Sequence, residues 1–513
     1  MTTKTGIAGN IHSAQHHDSA AKHVSGQAVY VDDINMPTHG LVVLIGQSPH
    51  AHALIRRMDL TAVAAAPGVL RVMTAEDVPQ VSDCGPVVHD DPIFAVKKVS
   101  YVGQSVFAIV AETMAAARAA LPLAHIDYDP LPAILTIDAA MEVSSFLGPP
   151  AQMKKGEPDK YLASASRQLS GRLYCGGQEH FYLEGQAALA IPGEDGDIQL
   201  YASTQHPSEI QHKVAEMLGV SSHAVTVETR RMGGAFGGKE SQGNLPALTA
   251  ALAAHLTGRP AKTVYDRDDD MRITGKRHDF VSTYKVGFDK NGIIEALRIQ
   301  HDMRCGMSMD LSGAIAERAL MHSENCYYIP NVQFIANLYK TNTPSNTAFR
   351  GFGGPQGMLV MERIIDEIAH FLSLDPLILR KRNFYADREK SSQQEQETPY
   401  GQNVRDCVIN DLIAKLEKSS NYQNRRKEIN KLNKTSDAIK RGIAITPVKF
   451  GISFNKTMLN QAGALVNLYS DGSVYLNHGG TEMGQGLFTK VRKIVADTFG
   501  ISSQSIKISA TDT

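Results

Sequence analysis

Over the first quarter of the chain, short apolar runs of strand length alternate with stretches of small, helix-forming residues. Leu41 to Ile45 predicts a strand, Asp59 caps an Ala-rich helix that stops at Pro67-Gly68, and Val69 to Val72 resumes as strand. Val106 to Ala111 is a continuous apolar run of strand length, Glu112 to Leu121 predicts a helix, and Asp129-Pro130-Leu131-Pro132 closes the unit. The pattern is that of an α+β domain.

After a stretch rich in Pro, Gly, Lys and Ser near 145 to 160, the pattern turns to hairpins. Asp195-Gly196, Asn291-Gly292 and Asp471-Gly472 each sit between apolar or alternating runs, the strongest local signal for a tight β-turn. Two helices stand out among them. Pro246 suits a first turn ahead of the small and apolar Ala247 to Leu256, with Gly258 and Pro260 as the stop. Met358, Met361, Ile365, Ile368 and Leu372 fall on one helical face and read as core. From about Asp387 to Lys440 the chain is polar: Ser391 to Glu397 predicts an exposed linker and Arg425-Arg426-Lys427 a solvated helix face. The apolar pattern resumes at Gly442, and Ile506 to Thr513 reads as a strand that stops without a closing helix or polar tail.

These shifts divide the chain into a flexible arm at 1–20, an α+β domain at 21–140, a linker at 141–160, a sheet-rich unit at 161–390, a polar linker at 391–440 and a further unit at 441–513. His12, His16 and His17 in the arm read as a solvated tail. With 513 residues, 42% hydrophobic and 20% charged, the chain has the composition of an ordinary globular protein. Its formal net charge of −1 gives no support for a nucleic-acid partner. No apolar run reaches the length of about 18 residues that a membrane span requires, and the polar start Met1-Thr2-Thr3-Lys4-Thr5 is unlike a signal peptide, so a cytoplasmic location is expected. Cys84, Cys175, Cys305, Cys326 and Cys407 are scattered singly and match neither a zinc ribbon nor an iron–sulfur motif. Electrons from any redox step here must therefore leave through another group.

The candidate chemistry centres on Arg230-Arg231-Met232-Gly233-Gly234-Ala235-Phe236-Gly237-Gly238-Lys239-Glu240. Its four glycines permit positive φ and a close approach of ligand to main chain, and the helix behind them offers unpaired N–H groups to an anionic or pterin-like cofactor. Gly233 to Lys239 also fits the first seven positions of a phosphate-cradling P-loop. The eighth position, where a Ser or Thr hydroxyl should hold magnesium, is Glu240, which argues against that reading.

Four further stretches mix glycine with polar or aromatic residues: Gly176 to Glu184, Ser203-Thr204-Gln205-His206-Pro207, Ala348 to Gln356, and His478 to Gly486. Together they suggest one extended ligand touched from several sides. The sequences GGQEHFYLE, GGAFGGKE, AFRGFGGPQ and GGTEMGQG, in this order, resemble the molybdopterin-binding subunit of the molybdenum hydroxylase family that holds xanthine dehydrogenases and aldehyde oxidases. The resemblance covers essentially the whole chain and implies an α+β architecture, a hammerhead domain followed by the molybdopterin-binding domain, the latter incomplete at its C-terminus.

The resemblance implies a molybdenum–pterin cofactor with oxo and sulfido ligands, its metal held by pterin sulfurs rather than by side chains. Gln205 is expected beside an oxo ligand, Phe236 and Gly237 near the metal centre, Arg350 along the cofactor and Gln485 on the pterin. Gln205, Phe236 and Arg350 thus form the molybdenum environment without ligating it. Phe352 and Phe454 resemble the aromatic walls that sandwich a flat heterocycle. Glu240 and Arg318 match the charged pair that xanthine-specific members place at the substrate's polar edges, and Arg318 can also stabilise negative charge developing on a purine oxygen. Asn455 departs from the Thr that often follows the second phenylalanine, which bears on local hydrogen bonding.

The reaction implied is hydroxylation of hypoxanthine or xanthine by water, assisted by a glutamate general base. Electrons pass to 2Fe-2S clusters, FAD and NAD on a partner subunit, in a heteromer expected to dimerise. In the family that glutamate lies in a Gly-Glu-Pro-Pro stretch toward the C-terminus; it is expected beyond Thr513, so no residue here is assigned as catalytic and the chain reads as a truncated product or fragment. Hydroxylation of aldehydes or other N-heterocycles, and an inactive fragment, are the competing readings.

Overall fold

The computed structural model describes residues 11–386 and 396–513. Six strands belong to the N-terminal stretch: β1 (Leu41–Gln47), β2 (Ala53–Asp59), β3 (Val69–Met73), β4 (Lys98–Val99), β5 (Ser105–Ala111) and β6 (His125–Pro130). All seven residues of β5 are buried, so the continuous apolar run reflects a strand covered on both faces. Asp59 accepts from the Thr61 amide at the start of the short Thr61–Ala64 helix, while Thr113 caps Met114–Ala120 through the Ala116 amide.

The middle of the chain supplies β7 (Ala151–Lys155), β8 (Arg167–Cys175), β9 (Ala187–Pro192), β10 (Ile198–Ala202), β11 (Val225–Thr229), β12 (Ala261–Val264), β13 (Phe280–Phe288), β14 (Ile294–Gly306) and β15 (Asn331–Lys340). The last stretch adds β16 (Ala464–Leu468), β17 (Val474–His478), β18 (Ile506–Ile508) and β19 (Thr511–Asp512). Each of the three Asp-Gly or Asn-Gly pairs turns an antiparallel hairpin: β9 to β10, β13 to β14 and β16 to β17.

One eight-stranded sheet runs β19-β11-β10-β9-β12-β1-β5-β3 and mixes strands from all three stretches. Its joint is the parallel pairing of β1 with β12, Leu41 opposite Ala261 and Val43 opposite Thr263. Leu41, Val43, Met73 and Val110 share a core with Ile210, Leu248 and Leu252 from the helices Pro207–Leu218 and Asn244–Thr257. The boundary expected near residue 140 therefore does not interrupt the sheet, because β1 buries its apolar side chains against the later strands. A five-stranded sheet, β7-β15-β14-β13-β8, packs on the helices Ser312–Met321 and Gly354–Phe371, and the stripe of Met361, Ile365 and Ile368 lies in its core. β4-β2-β6 and β16-β17-β18 form two smaller sheets. β16 is the edge of the latter, and all five of its residues are exposed.

Three expected linkers or arms are structured. Residues 151–155, expected as linker, are β7, with Met153 opposite Phe334, and Leu162 is buried on the helix Pro158–Ser164 that follows. The flexible arm is anchored where it is described: Ser19 is buried, and Asp18 meets Arg230 at 2.8 Å. Of the polar linker, Ser391 to Glu395 lie outside the described residues; the remainder carries the helices Ile409–Ser419 and Tyr422–Thr435, held by buried Ile413 and Tyr422. Arg425 and Lys427 lie exposed on the second helix, whereas Arg426 reaches Asp375 at 3.1 Å.

Because β1 completes a sheet begun elsewhere, Leu41→Ala is expected to cost about 2–5 kcal/mol and to lower the stability of the whole sheet in one transition. Urea unfolding followed by circular dichroism checks this; a separate early transition of the N-terminal stretch alone would contradict it.

Candidate active site

Two glycine turns meet main chain to main chain. In the central loop Gly234, Phe236 and Gly237 all have positive φ, and in the second loop Gly351, Phe352 and Gly353 do. The Phe236 carbonyl accepts the Arg350 amide at 2.8 Å. A Cβ on Gly237 would stand 2.7 Å from the Ala348 carbonyl oxygen, so only glycine allows the two backbones this close. Phe236 and Phe352 occupy the corresponding corner of each turn, held left-handed despite their side chains.

His180 braces this junction. Its Nε2 donates to the Ala348 carbonyl at 2.7 Å and its ring stacks on Phe349 with centroids 4.5 Å apart. Burial pushes its pKa down to about 4, so the ring is neutral at physiological pH. From the other side the Arg277 guanidinium lies 3.9 Å over the Phe349 ring and donates to the Arg350 carbonyl at 2.9 Å.

Gln205 is fixed from below. Its Oε1 accepts from the amides of Gly237 at 2.9 Å and Lys239 at 3.3 Å. Two N–H donors on one atom assign that atom as oxygen and leave the Nε2 group to donate elsewhere. Lys239, which a P-loop would extend to phosphate, points inward with 0% exposure. Its Nζ meets Glu184 at 3.2 Å and Ser203 at 2.8 Å, 4.7 Å over the Tyr182 ring. Burial lowers its pKa, and Glu184 works against that. Glu184 also accepts from Ser203 and from the Gly233 amide at 2.7 Å. A lysine so engaged cannot cradle phosphate.

Glu240 is half-buried and makes no ion pair among the described residues. Burial pushes its pKa up to about 7, with His206 lowering and Asp310 raising it. Arg318, in the last turn of its helix, is buried and donates to the carbonyls of Gly451 and Ser453 rather than to a carboxylate. Glu240 and Arg318 make no ion pair with each other; Glu240 enters from the central loop and Arg318 from the helix Ser312–Met321, against which Gly353 packs at the Ile315 carbonyl. Phe352 and Phe454 touch edge to face, centroids 5.9 Å apart and planes at 61°. They are thus not the two parallel walls of a sandwich, because the ring edges prefer each other's faces. Asn455 spends its amide on the Ala314 carbonyl at 3.2 Å.

The last glycine loop joins through Glu482, whose carbonyl accepts the Met232 amide at 2.9 Å. Gln485 folds back into its own loop, accepting from the Met483 amide at 2.7 Å and donating to the Thr481 carbonyl at 2.8 Å. Its side chain is therefore committed to loop shape. Glu482 organises the turn: its carboxylate accepts from the amides of Gly484, Gly486 and Phe488 at 2.9, 3.0 and 3.2 Å. Burial raises its pKa, but these amides and His17 hold it below the usual carboxylate value. His17, Asp18 and Glu482 lie within 4.8 Å of one another, a metal-like grouping. His17 Nδ1 accepts the Ser19 amide, so the neutral ring carries its proton on Nε2, toward Glu482 at 3.3 Å.

The structure therefore brings together Gln205, Phe236, Gly237, Arg350 and Phe352, and joins Phe454 and Arg318 to them through the 451–455 segment. Glu184, Lys239, His180 and Glu482 stood inside the glycine motifs without a role; ionisable residues amid glycine and apolar neighbours were the signal that buried partners awaited them. Asp18 and Ser19 carried no such signal.

The main chain at Gly479 and Gly484 is bare enough that a Cβ on either would meet nothing within 4 Å. The Arg350 side chain is exposed, with no polar partner among the described residues. Free donors at Gln205 and Arg350 beside open glycine backbone suit a large, multiply anionic ligand.

Residues 25–132 match the model of the aldehyde oxidase and xanthine dehydrogenase a/b hammerhead domain. Residues 143–384 and 415–513 match two models of a molybdopterin cofactor-binding domain. The chain is 43% identical over 97% of its length to xanthine dehydrogenase/oxidase of Felis catus, and 41% identical over 97% to xanthine dehydrogenase of Dictyostelium discoideum. It spans 37% and 36% of the length of those relatives. In fold it is similar to the aldehyde oxidoreductase of Desulfovibrio gigas, with TM-score 0.84 and 24% identity over 98% of this chain and 57% of that one. Quinoline 2-oxidoreductase of Pseudomonas putida 86 gives TM-score 0.85 at 22% identity, over 99% of this chain and 67% of that one.

Removing the Glu482 carboxylate strands three amides of the glycine turn. Glu482→Ala is expected to cost about 1–3 kcal/mol and to speed amide hydrogen exchange at Gly484, Gly486 and Phe488. Unchanged exchange at those three amides would show that the carboxylate does not hold the turn.

Proposed function

Because this chain belongs to the family of molybdenum hydroxylases that contains xanthine dehydrogenase, we propose that it is the cofactor-binding portion of a purine hydroxylase acting on hypoxanthine and xanthine. The observation that carries this reading is a pair of charges without charged partners. Glu240 makes no ion pair among the described residues, and Arg318 is buried against the carbonyls of Gly451 and Ser453 and the face of Phe450 rather than against a carboxylate. Leaving such groups in place is costly unless a polar ligand meets them, and a dioxopurine offers N–H and C=O groups at both of its edges. A simple aldehyde does not.

A molybdenum–pterin group would supply two-electron oxidation here, with its metal held by the pterin's own sulfurs. The residues present fit such a group: Gln205 Nε2 would donate to it, Arg350 would pair with its anionic parts, and the main chain at Phe236, Gly237, Gly479 and Gly484 would lie against it. Phe352 and Phe454 set the plane of the purine; one of the rings must turn aside to admit it. Glu240, neutral below about pH 7, donates its proton to a purine acceptor, and Arg318 steadies charge gathering on a purine oxygen. No carboxylate among these 513 residues is assigned as general base. Iron–sulfur and FAD centres on a partner subunit, NAD as acceptor, a cytoplasmic location and a heteromer that dimerises belong to the same reading. No helix among the described residues is long and apolar enough to cross a membrane.

The test uses the chain assembled with its electron-transfer partner and compares kcat/KM for xanthine and for an aromatic aldehyde. Arg318→Met is expected to lower the xanthine value by about 10–200-fold while leaving the aldehyde value within a few-fold. Equal losses on both substrates would favour a general structural role for Arg318, and a parent enzyme that prefers the aldehyde would overturn the purine reading. The raised pKa of Glu240 gives a second outcome. Its neutral form persists up to about pH 7 and is lost above it, so KM for hypoxanthine should rise with pH through 7 in the parent and stay nearly flat in Glu240→Gln.

A further inference from the structure

Behind Glu240, at the joint between the N-terminal strands and the central loop, lies a small cavity of about 30 Å³. It is lined by Cys84, Asp91, Tyr101, Ser105, Ser241 and Asp310, among others. That volume accommodates one water molecule if the walls offer polar partners. Ser105 is 2% exposed, and its Oγ has no hydrogen-bond partner among the described residues, an orphaned polar atom in the cavity wall. Asp310 lines the same cavity and is held in place by four donors, Ser241 Oγ at 2.7 Å, Gln242 Nε2 at 3.0 Å, Thr347 Oγ1 at 2.7 Å and the Leu311 amide at 2.7 Å. Asp91 has no cation beside it. Its Oδ2 accepts from Ser308 Oγ at 3.2 Å.

We propose that this cavity holds one water joining Asp91 to Asp310, and that Asp91 stores a proton which this water can pass to Asp310. In that transfer the Asp91 O–H bond breaks as the water accepts its proton, and a water O–H bond breaks as the Asp310 carboxylate accepts another. One proton changes carboxylates and no electron moves. Ser241, hydrogen-bonded to Asp310, is the chain neighbour of Glu240, so the store stands directly behind the proposed substrate acid. That link to substrate rests on the purine reading; the store itself does not.

The electrostatics agree with the geometry. Burial, with Asp310 and Asp83 adding to it, pushes Asp91 up to about 8, and burial pushes Asp310 up to about 6. The other titratable groups around Asp91 are Asp83, Asp90, Cys84 and Tyr101, none of them positive. The nearest cations serve other acids: Lys213 and His89 face Asp83 at 3.7 and 3.4 Å, and Lys340 acts on Asp90.

Asp91→Asn keeps the shape and a donor group while removing the proton that titrates. The folded-state pKa of Asp91 is raised, so its contribution is fully present at low pH and is lost as pH rises toward 8. The variant should therefore gain on the parent between pH 5 and 8, by up to tenfold in folding equilibrium constant per pH unit, the limit for one proton. The infrared absorption of protonated carboxyls in the parent at pH 7, to which Glu240 also contributes, should fall by one carboxyl in the variant. Parallel pH–stability curves, an undiminished band, or a variant that cannot fold would each overturn the proton store, since an amide replaces a neutral acid with little strain. A crystal structure with the cavity dry would overturn the bridging water.

Discussion

Main chain pressed against main chain, where Phe236-Gly237 meets Ala348 to Arg350, is the constraint on which this site depends. Side chains reach a ligand from many places in a fold, but two backbones approach this closely only if one of them lacks a Cβ at the contact. Gly237 meets that condition. Everything that shapes the site is then referred to this junction. His180 and Arg277 clamp it by gripping the second loop, Gln205 ties the first loop to the turn after β10, and Glu482 ties in the last loop through Met232. The eight-stranded sheet and the helix Asn244–Thr257 supply the rigid support behind it.

The junction is stiffened by buried charge. Lys239 and Glu184 are both out of water, and such a pair recovers its desolvation cost only when every remaining donor and acceptor is met. Ser203, the Gly233 amide and the Tyr182 ring meet them here. An apolar pair of the same size could be as stable, but it would not hold the amides of the loop in one orientation. Polar groups in this position specify a geometry as much as they stabilise it.

Local features were legible in the sequence, and features that depend on distant partners were not. Asp195-Gly196, Asn291-Gly292 and Asp471-Gly472 determine their own turns, and each makes the hairpin expected of it. The glycine motifs marked the loops that converge, because glycine is required wherever backbone is approached closely. The pairing of Leu41 with Ala261 left no mark, since an apolar strand does not name the strand it will join. β7, the helix Pro158–Ser164 and the helices Ile409–Ser419 and Tyr422–Thr435 were hidden by polar composition, the three helices burying few side chains, such as Leu162, Ile413 and Tyr422. At the site, residue types were readable and orientations were not: Phe352 and Phe454 meet edge to face, Gln485 turns back into its loop, and Lys239 points inward.

β16 lies at the opposite extreme from this interlocked centre. Five exposed residues, including Leu465, Val466 and Leu468, run along a sheet edge whose outer N–H and C=O groups have no strand beside them among the described residues. Ile452, in the 451–455 segment, is 97% exposed. Such an edge is a template for β-augmentation, and it does not distinguish a legitimate partner from another copy of itself. Self-association grows with concentration even while the fold remains intact. A charged residue on that edge would blunt such pairing without touching the site.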